Sequence, residues 1–145
     1  MVTIAIGSDH AGFELKQKIA QYLATQSIAI IDLGTYTTAS CDYPDYAHTV
    51  AEAVAHKVAD WGVLVCGSGQ GVAISANKHP QIRAALCWSP EIVALAREHN
   101  DANILCLPAR FVTEGDALTM LQTFLDTPFA GGRHQARVDK ISLTC

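Results

Sequence analysis

Cys66 ends an apolar run that begins at Val63, and three glycines follow at every second position, Gly67, Gly69 and Gly71, with Ser68 and Gln70 between them. An apolar run that stops at glycines and continues into helix-compatible residues reads as a buried strand, a tight loop and a helix start. Such a loop aims backbone N–H groups at one point, because the first N–H groups of a helix lack partners within it and its dipole favours negative charge. A phosphate, a carboxylate or a developing oxyanion suits those donors. A thiol beside them is favoured as the thiolate, the form that acts as base or nucleophile, and Ser68 adds a hydroxyl. The competing reading of this segment alone is an inert core thiol, since cysteine is among the most buried residue types. The spacing departs from a dinucleotide loop, because counting from Gly67 or Gly69 puts Val72 or Ile74 where the last glycine belongs. A Gly-Lys-Ser/Thr end is also missing, so nucleotide hydrolysis is disfavoured.

Three further groups carry chemistry. Asp9 and His10 lie between Gly7 and Gly12, where Asp9 either caps a helix or serves a site, and a protonated His10 offers two charge-assisted bonds to a phosphate. His99 and Asn100 close a helical pattern; by themselves they read as a dipole partner and a left-handed cap, and near the active edge of a sheet as an acid or base with its neighbour. Arg133 and Arg137, four apart, share one helix face. They form either a solvated basic face or a forked grip on one phosphate, to which Arg110 adds a third cation. His48, His56, His79 and His134 show no metal-binding spacing, so no metal is expected.

The elements that must position these residues alternate. Strand-like runs recur at 2–6, 28–33, 62–66, 83–87 and 103–107. Between and after them lie helical patterns, one with a face of Phe13, Leu15, Ile19, Tyr22 and Leu23, then 46–59, 68–78, 90–99 and 113–126. Strands apolar throughout and separated by helices predict a parallel sheet covered on both faces. The expected fold is a doubly wound, Rossmann-like α/β three-layer sandwich of about five strands with a C-terminal helical extension after Gly132. Ligands in such sheets sit beyond the C-terminal strand ends, where loops 7–12, 34–45, 66–71 and 99–101 are expected to gather.

The 145 residues fit a single domain, 1–145, able to bury a sizeable core. Half are hydrophobic and 17% charged, which argues against disorder, and the net charge of -4 disfavours a nucleic-acid partner. The five cysteines, Cys41, Cys66, Cys87, Cys106 and Cys145, contain no paired spacing, so neither a disulfide framework nor a zinc ribbon is expected. No leader or membrane-length apolar run is visible, and a cytoplasmic protein without membrane partners is the default.

Five segments in this order, 7–16, 42–47, 66–78, 97–103 and 131–137, resemble the ribose-5-phosphate isomerase B family, which also includes allose- and galactose-6-phosphate isomerases. The resemblance spans nearly the whole chain. It implies a cofactor-free aldose-ketose isomerase interconverting ribose 5-phosphate and ribulose 5-phosphate, built as a homodimer or a tetramer of dimers with active sites shared across the interface. Carried onto matching positions, Cys66 is the base that moves a proton between C2 and C1, assisted by Ser68, where the family often has threonine. Another branch uses a glutamate just after the last loop glycine; Val72 stands there, so the chain resembles the cysteine branch. The resemblance gives His99 the opening of the furanose ring and has Asp9 hold the sugar. It has N–H groups from Gly67, Ser68, Gly69, Gln70 and Gly71, with Asn100, stabilise the enediolate. His10, Arg110, Arg133 and Arg137 hold the phosphate, some from the partner subunit, and Tyr43 lines the pocket. The alternatives are a six-carbon phosphosugar substrate and a phosphosugar-binding module without catalysis.

Overall fold

The computed structural model describes residues 1–143. Five strands form one parallel sheet: β1 (Thr3–Ser8), β2 (Ala29–Asp32), β3 (Trp61–Cys66), β4 (Ala84–Leu86) and β5 (Ile104–Pro108), in the order β2-β1-β3-β5-β4. Six helices accompany them: α1 (Phe13–Ala24), α2 (Tyr43–Ala55), α3 (Gln70–Ala76), α4 (Pro90–Asn100), α5 (Glu114–Asp126) and α6 (Arg133–Asp139). The α/β class, the strand count and the C-terminal helix agree with the sequence reading.

Side chains alternate along each strand, so the sheet presents two faces. Ile4, Ile6, Val63, Val65, Leu105 and Leu107 pack with Ile19, Leu23, Val93, Met120 and Phe124 from α1, α4 and α5. Ala5, Leu64, Cys66, Ile104 and Cys106 pack with Val50, Val54, Val72 and Ala76 from α2 and α3. Helices on both faces follow from right-handed crossovers whose direction reverses along the chain. From β1 the chain steps outward to β2, and from β3 it steps the other way. The C-terminal ends of β1 and β3 therefore flank a topological switch point, where such sheets open a crevice.

The bounds of α2 differ most from the sequence reading. Helix α2 starts at Tyr43 rather than 46 because Pro44 sits in its first turn, where a missing N–H costs nothing. It ends at Ala55, short of 59, as Lys57 takes a left-handed φ of 61°. Lys16 is the unexpected core residue. It is 1% exposed on the inner side of α1, with Nζ 2.6 and 2.7 Å from the two carboxylate oxygens of Asp32 at the end of β2. The ammonium also lies 5.3 Å from the Tyr36 ring centroid, and Asp32 Oδ1 accepts the Gly34 N–H at 3.0 Å. One ion pair thus ties α1 to the start of the segment leading to Tyr43. Removing the carboxylate strands a desolvated cation, so Asp32→Ala is expected to cost about 3 kcal/mol, whereas Lys16→Met with Asp32→Asn costs less than half of that. Urea titration of both variants checks the asymmetry.

Candidate active site

At the switch point a cavity of about 560 Å³ is lined by Asp9, His10, Ala11, Tyr43, Cys66, Gly67, Ser68, Gly71, Arg110 and Phe111. Four strand-following or helix-starting segments supply them, and backbone bonds fix three of these together. The Asp9 N–H donates to Val65 O at 3.2 Å, Ala109 N–H to Cys66 O at 2.9 Å and Arg110 N–H to Gly67 O at 3.0 Å. The loops after β1, β3 and β5 thus form one rim, and α2 adds Tyr43 from its first turn.

Cys66 closes β3 with 4% of its surface exposed, beside Pro108 of β5. The chain then turns through Gly69, whose φ of 76° favours glycine, and enters α3 at Gln70. The Ser68 hydroxyl accepts the Gln70 N–H at 3.3 Å, bracing the turn. Gly71 is required for close approach, because a Cβ there would stand 2.5 Å from the Tyr43 ring. The Arg110 guanidinium lies over the other end of the loop, 3.1 Å from where a Gly67 Cβ would be. A cation and a thiol therefore face one hollow, with the turn's backbone beside them.

Asp9 is 7% exposed, and its Oδ1 accepts the Gly12 N–H at 3.0 Å. That bond closes the turn leading into α1, whose N-cap is Gly12 with no side-chain partner, so Asp9 is not the helix cap offered as its alternative reading, and it lines the cavity. His10 departs from the sequence reading. The Cys41 N–H, which can only donate, points at His10 Nδ1 from 3.2 Å. That places the ring proton on Nε2 and leaves one donor, not two, for a ligand.

The described cysteines Cys41, Cys66, Cys87 and Cys106 are free; Cys145 lies outside the described residues. Burial pushes the Cys87 thiol up to about 12. It pushes Cys106 well above the usual thiol range too, with Cys66 and Cys87 adding to the effect. Neither is a thiolate at neutral pH, and neither lines the cavity.

Six expected site residues are not part of this lining: Gly69 and Gln70, which lie within the glycine turn beside it, and His99, Asn100, Arg133 and Arg137, which lie elsewhere. His99 and Asn100 end α4, and the 99–101 turn leads into the start of β5, at the opposite edge of the sheet from Cys66. A crossover helix runs back against its strands, so the expected gathering of loop 99–101 with the glycine loop is corrected. The length of β5, about 13 Å at strand rise, separates the two edges. Asn100 instead borders a second cavity, of about 540 Å³, with Asn77, Arg83 and Ile141. Arg133 and Arg137 are exposed on α6, which packs against α4. Two neighbours of these residues escaped the sequence reading. Phe111, 75% exposed at the cavity rim, has no signal in the sequence beyond following Arg110. His134 stacks on His99, with ring centroids 4.3 Å apart and planes 14° from parallel; its place between Arg133 and Arg137 was its only hint.

Residues 4–141 match the model of a family described as Ribose/Galactose Isomerase. Ribose-5-phosphate isomerase B of Escherichia coli strain K12 is 43% identical over 142 residues, covering 98% of this chain and 95% of that protein. A solved ribose 5-phosphate isomerase from Thermotoga maritima superposes with a TM-score of 0.96 at 51% identity, covering 97% of each chain. The Mycoplasma genitalium ribose-5-phosphate isomerase B, solved with bound ribulose-5-phosphate, gives 0.92 at 46% identity, covering 97% of this chain and 93% of that one.

Proposed function

Because this chain belongs to the ribose/galactose isomerase family, we propose that it interconverts ribose 5-phosphate and ribulose 5-phosphate at the Cys66 cavity. The observation that carries the reading is the convergence on one cavity of Cys66 at a strand end, the glycine turn, the Arg110 cation and the single His10 donor. The Cys66 thiolate takes the proton from C2 of the open-chain aldose, the thiol so formed exchanges its proton with solvent, and it delivers a proton to C1, while another passes from the C2 hydroxyl to the C1 oxygen. Between the two transfers the charge lies on an enediolate. Backbone N–H groups of the Gly67–Gly71 turn, with Ser68, are the donors preorganised for it, and one such donor contributes roughly 3 kcal/mol. Arg110 and His10 hold the phosphate, Tyr43 and Asp9 the sugar. Remote phosphate binding orients the small reacting carbons and favours phosphorylated over free sugars.

The furanose form must open first. His99 gives its proton to the ring oxygen as the C1–O bond breaks, and the C1 hydroxyl proton passes to water as the C1 carbonyl forms. Because His99, Asn100, Arg133 and Arg137 stand at the far edge of their own sheet, they serve the cavity of a second copy. This supports a homodimer in which each site takes its thiol from one subunit and its ring-opening histidine and two arginines from the other. Tyr36, Ile74, Trp88 and Phe111 are large apolar side chains left exposed, area available to such association. Among the described residues no helix is long and apolar enough to cross a membrane; we place the enzyme in the cytoplasm.

NMR of ribose 5-phosphate in deuterated water tests the reaction. The expected result is ribulose 5-phosphate carrying deuterium at C1. Turnover of allose 6-phosphate or galactose 6-phosphate with none of ribose 5-phosphate would reassign the substrate. Binding without turnover of any of them would reduce the protein to a phosphosugar-binding module.

A further inference from the structure

We propose that His134 is a positioning residue, its imidazole stacked on His99 to hold that ring in the one orientation that delivers a proton to the furanose oxygen. The inference rests on His99 as the ring-opening residue. His99 is half-buried on the last turn of α4, where a side chain with two free torsions would otherwise sample several orientations. His134 removes that freedom from one face, with the centroids 4.3 Å apart and the planes 14° from parallel.

The backbone holds the stack in register. Ala130 N–H donates to Glu98 O at 3.0 Å, tying the segment before α6 to the residue next to His99, and His134 N–H donates to Gly131 O at 3.0 Å. Glycine at 131 and 132, with φ of 64° and 55°, lets the chain double back so tightly. The ring that stacks is also suited to stay neutral. Desolvation first, then the positive charge of His99, Arg133 and Arg137, lowers the His134 pKa below the usual histidine value, with Glu98 opposing.

Two reactions of the same protein separate this role from a structural one. Isomerisation of ribose 5-phosphate needs the ring opened. Exchange of the C1 hydrogen of ribulose 5-phosphate with deuterated water needs only the Cys66 proton transfer, because that ketose has no ring to open. His134→Ala is expected to lower ribose 5-phosphate turnover about 10- to 100-fold, the effect of misplacing one reacting group, while C1 exchange stays within about twofold. His134→Phe, which keeps a flat ring to stack, is expected to restore turnover to within about threefold of the parent. Parental turnover in His134→Ala, loss of exchange in step with turnover, or a phenylalanine variant as poor as alanine would each overturn the proposal. His99→Asn run alongside identifies where a failure lies. If it turns over ribose 5-phosphate normally, the ring-opening role of His99 falls first and that of His134 with it.

Discussion

Cys66→Ala is expected to lower kcat for ribose 5-phosphate by about 10³-fold, within the range that a positioned general base supplies. In the proposed site the phosphate is held by Arg110 and His10 and the sugar by Tyr43 and Asp9, none of which touches its ligand through the thiol. The affinity of the variant for ribose 5-phosphate, read by calorimetry, therefore stays within about threefold of the parent's. Cys66→Ser is a sharper companion. It keeps the shape of a side chain packed in the α2/α3 core and replaces a group that ionises readily with one that does not, so it remains inactive. A variant with either substitution and parental turnover would remove Cys66 from the chemistry. Because Cys87 and Cys106 are held as thiols by burial, they offer no substitute base.

Mixing two inactive proteins is expected to regenerate an active one. Cys66→Ala and His99→Asn each disable both sites of a homodimer. After subunit exchange in equal proportion, half the dimers are mixed. If each site joins Cys66 of one subunit to His99 of the other, one site in every mixed dimer is whole. Activity then returns to about a quarter of the parental value, as two-fold symmetry requires. Sites contained within one chain would leave the mixture dead. The geometry behind this expectation is the full length of β5 between the residues concerned. Arg137→Ala is expected to complement Cys66→Ala in the same way and to fail with His99→Asn, because both of those positions lie on the α4–α6 side. Size-exclusion chromatography of the exchanged sample shows that dimers are present.

The sheet was legible because β1, β3 and β5 are apolar on both faces, a pattern that only a covered parallel strand produces. The glycine turn was legible for a different reason: the positive φ at Gly69 is a local backbone demand that leaves a trace in the sequence. Lys16 was not, since a lysine on an amphipathic helix normally reads as surface, and its partner Asp32 lies 16 residues away. The position of His99 was misread by sheet edge alone. Its residue type and its place at a helix end were correct, but the direction of a crossover helix sends its C-terminus away from the glycine loop. Phe111 and His134 gain their meaning from neighbours the sequence does not make adjacent, a cavity rim and a ring on another helix. The one-donor state of His10 depends on the Cys41 N–H, 31 residues on.

The strand order β2-β1-β3-β5-β4 also dictates a timetable for a chain emerging from the ribosome. When residue 100 has been made, β1, β2 and β3 can already pair, but β4 has no neighbour, because its ladder in the sheet is with β5 alone. The edge of β3 that later receives β5 is open at that stage, and with it the Cys66 carbonyl that Ala109 will occupy. The last strand synthesised is therefore inserted between two older ones, not added at a rim. Pairing of this kind waits on a distant segment and is slow to close. The nascent protein thus carries Cys66 on an unfinished sheet edge until the final third of the chain arrives to seal it.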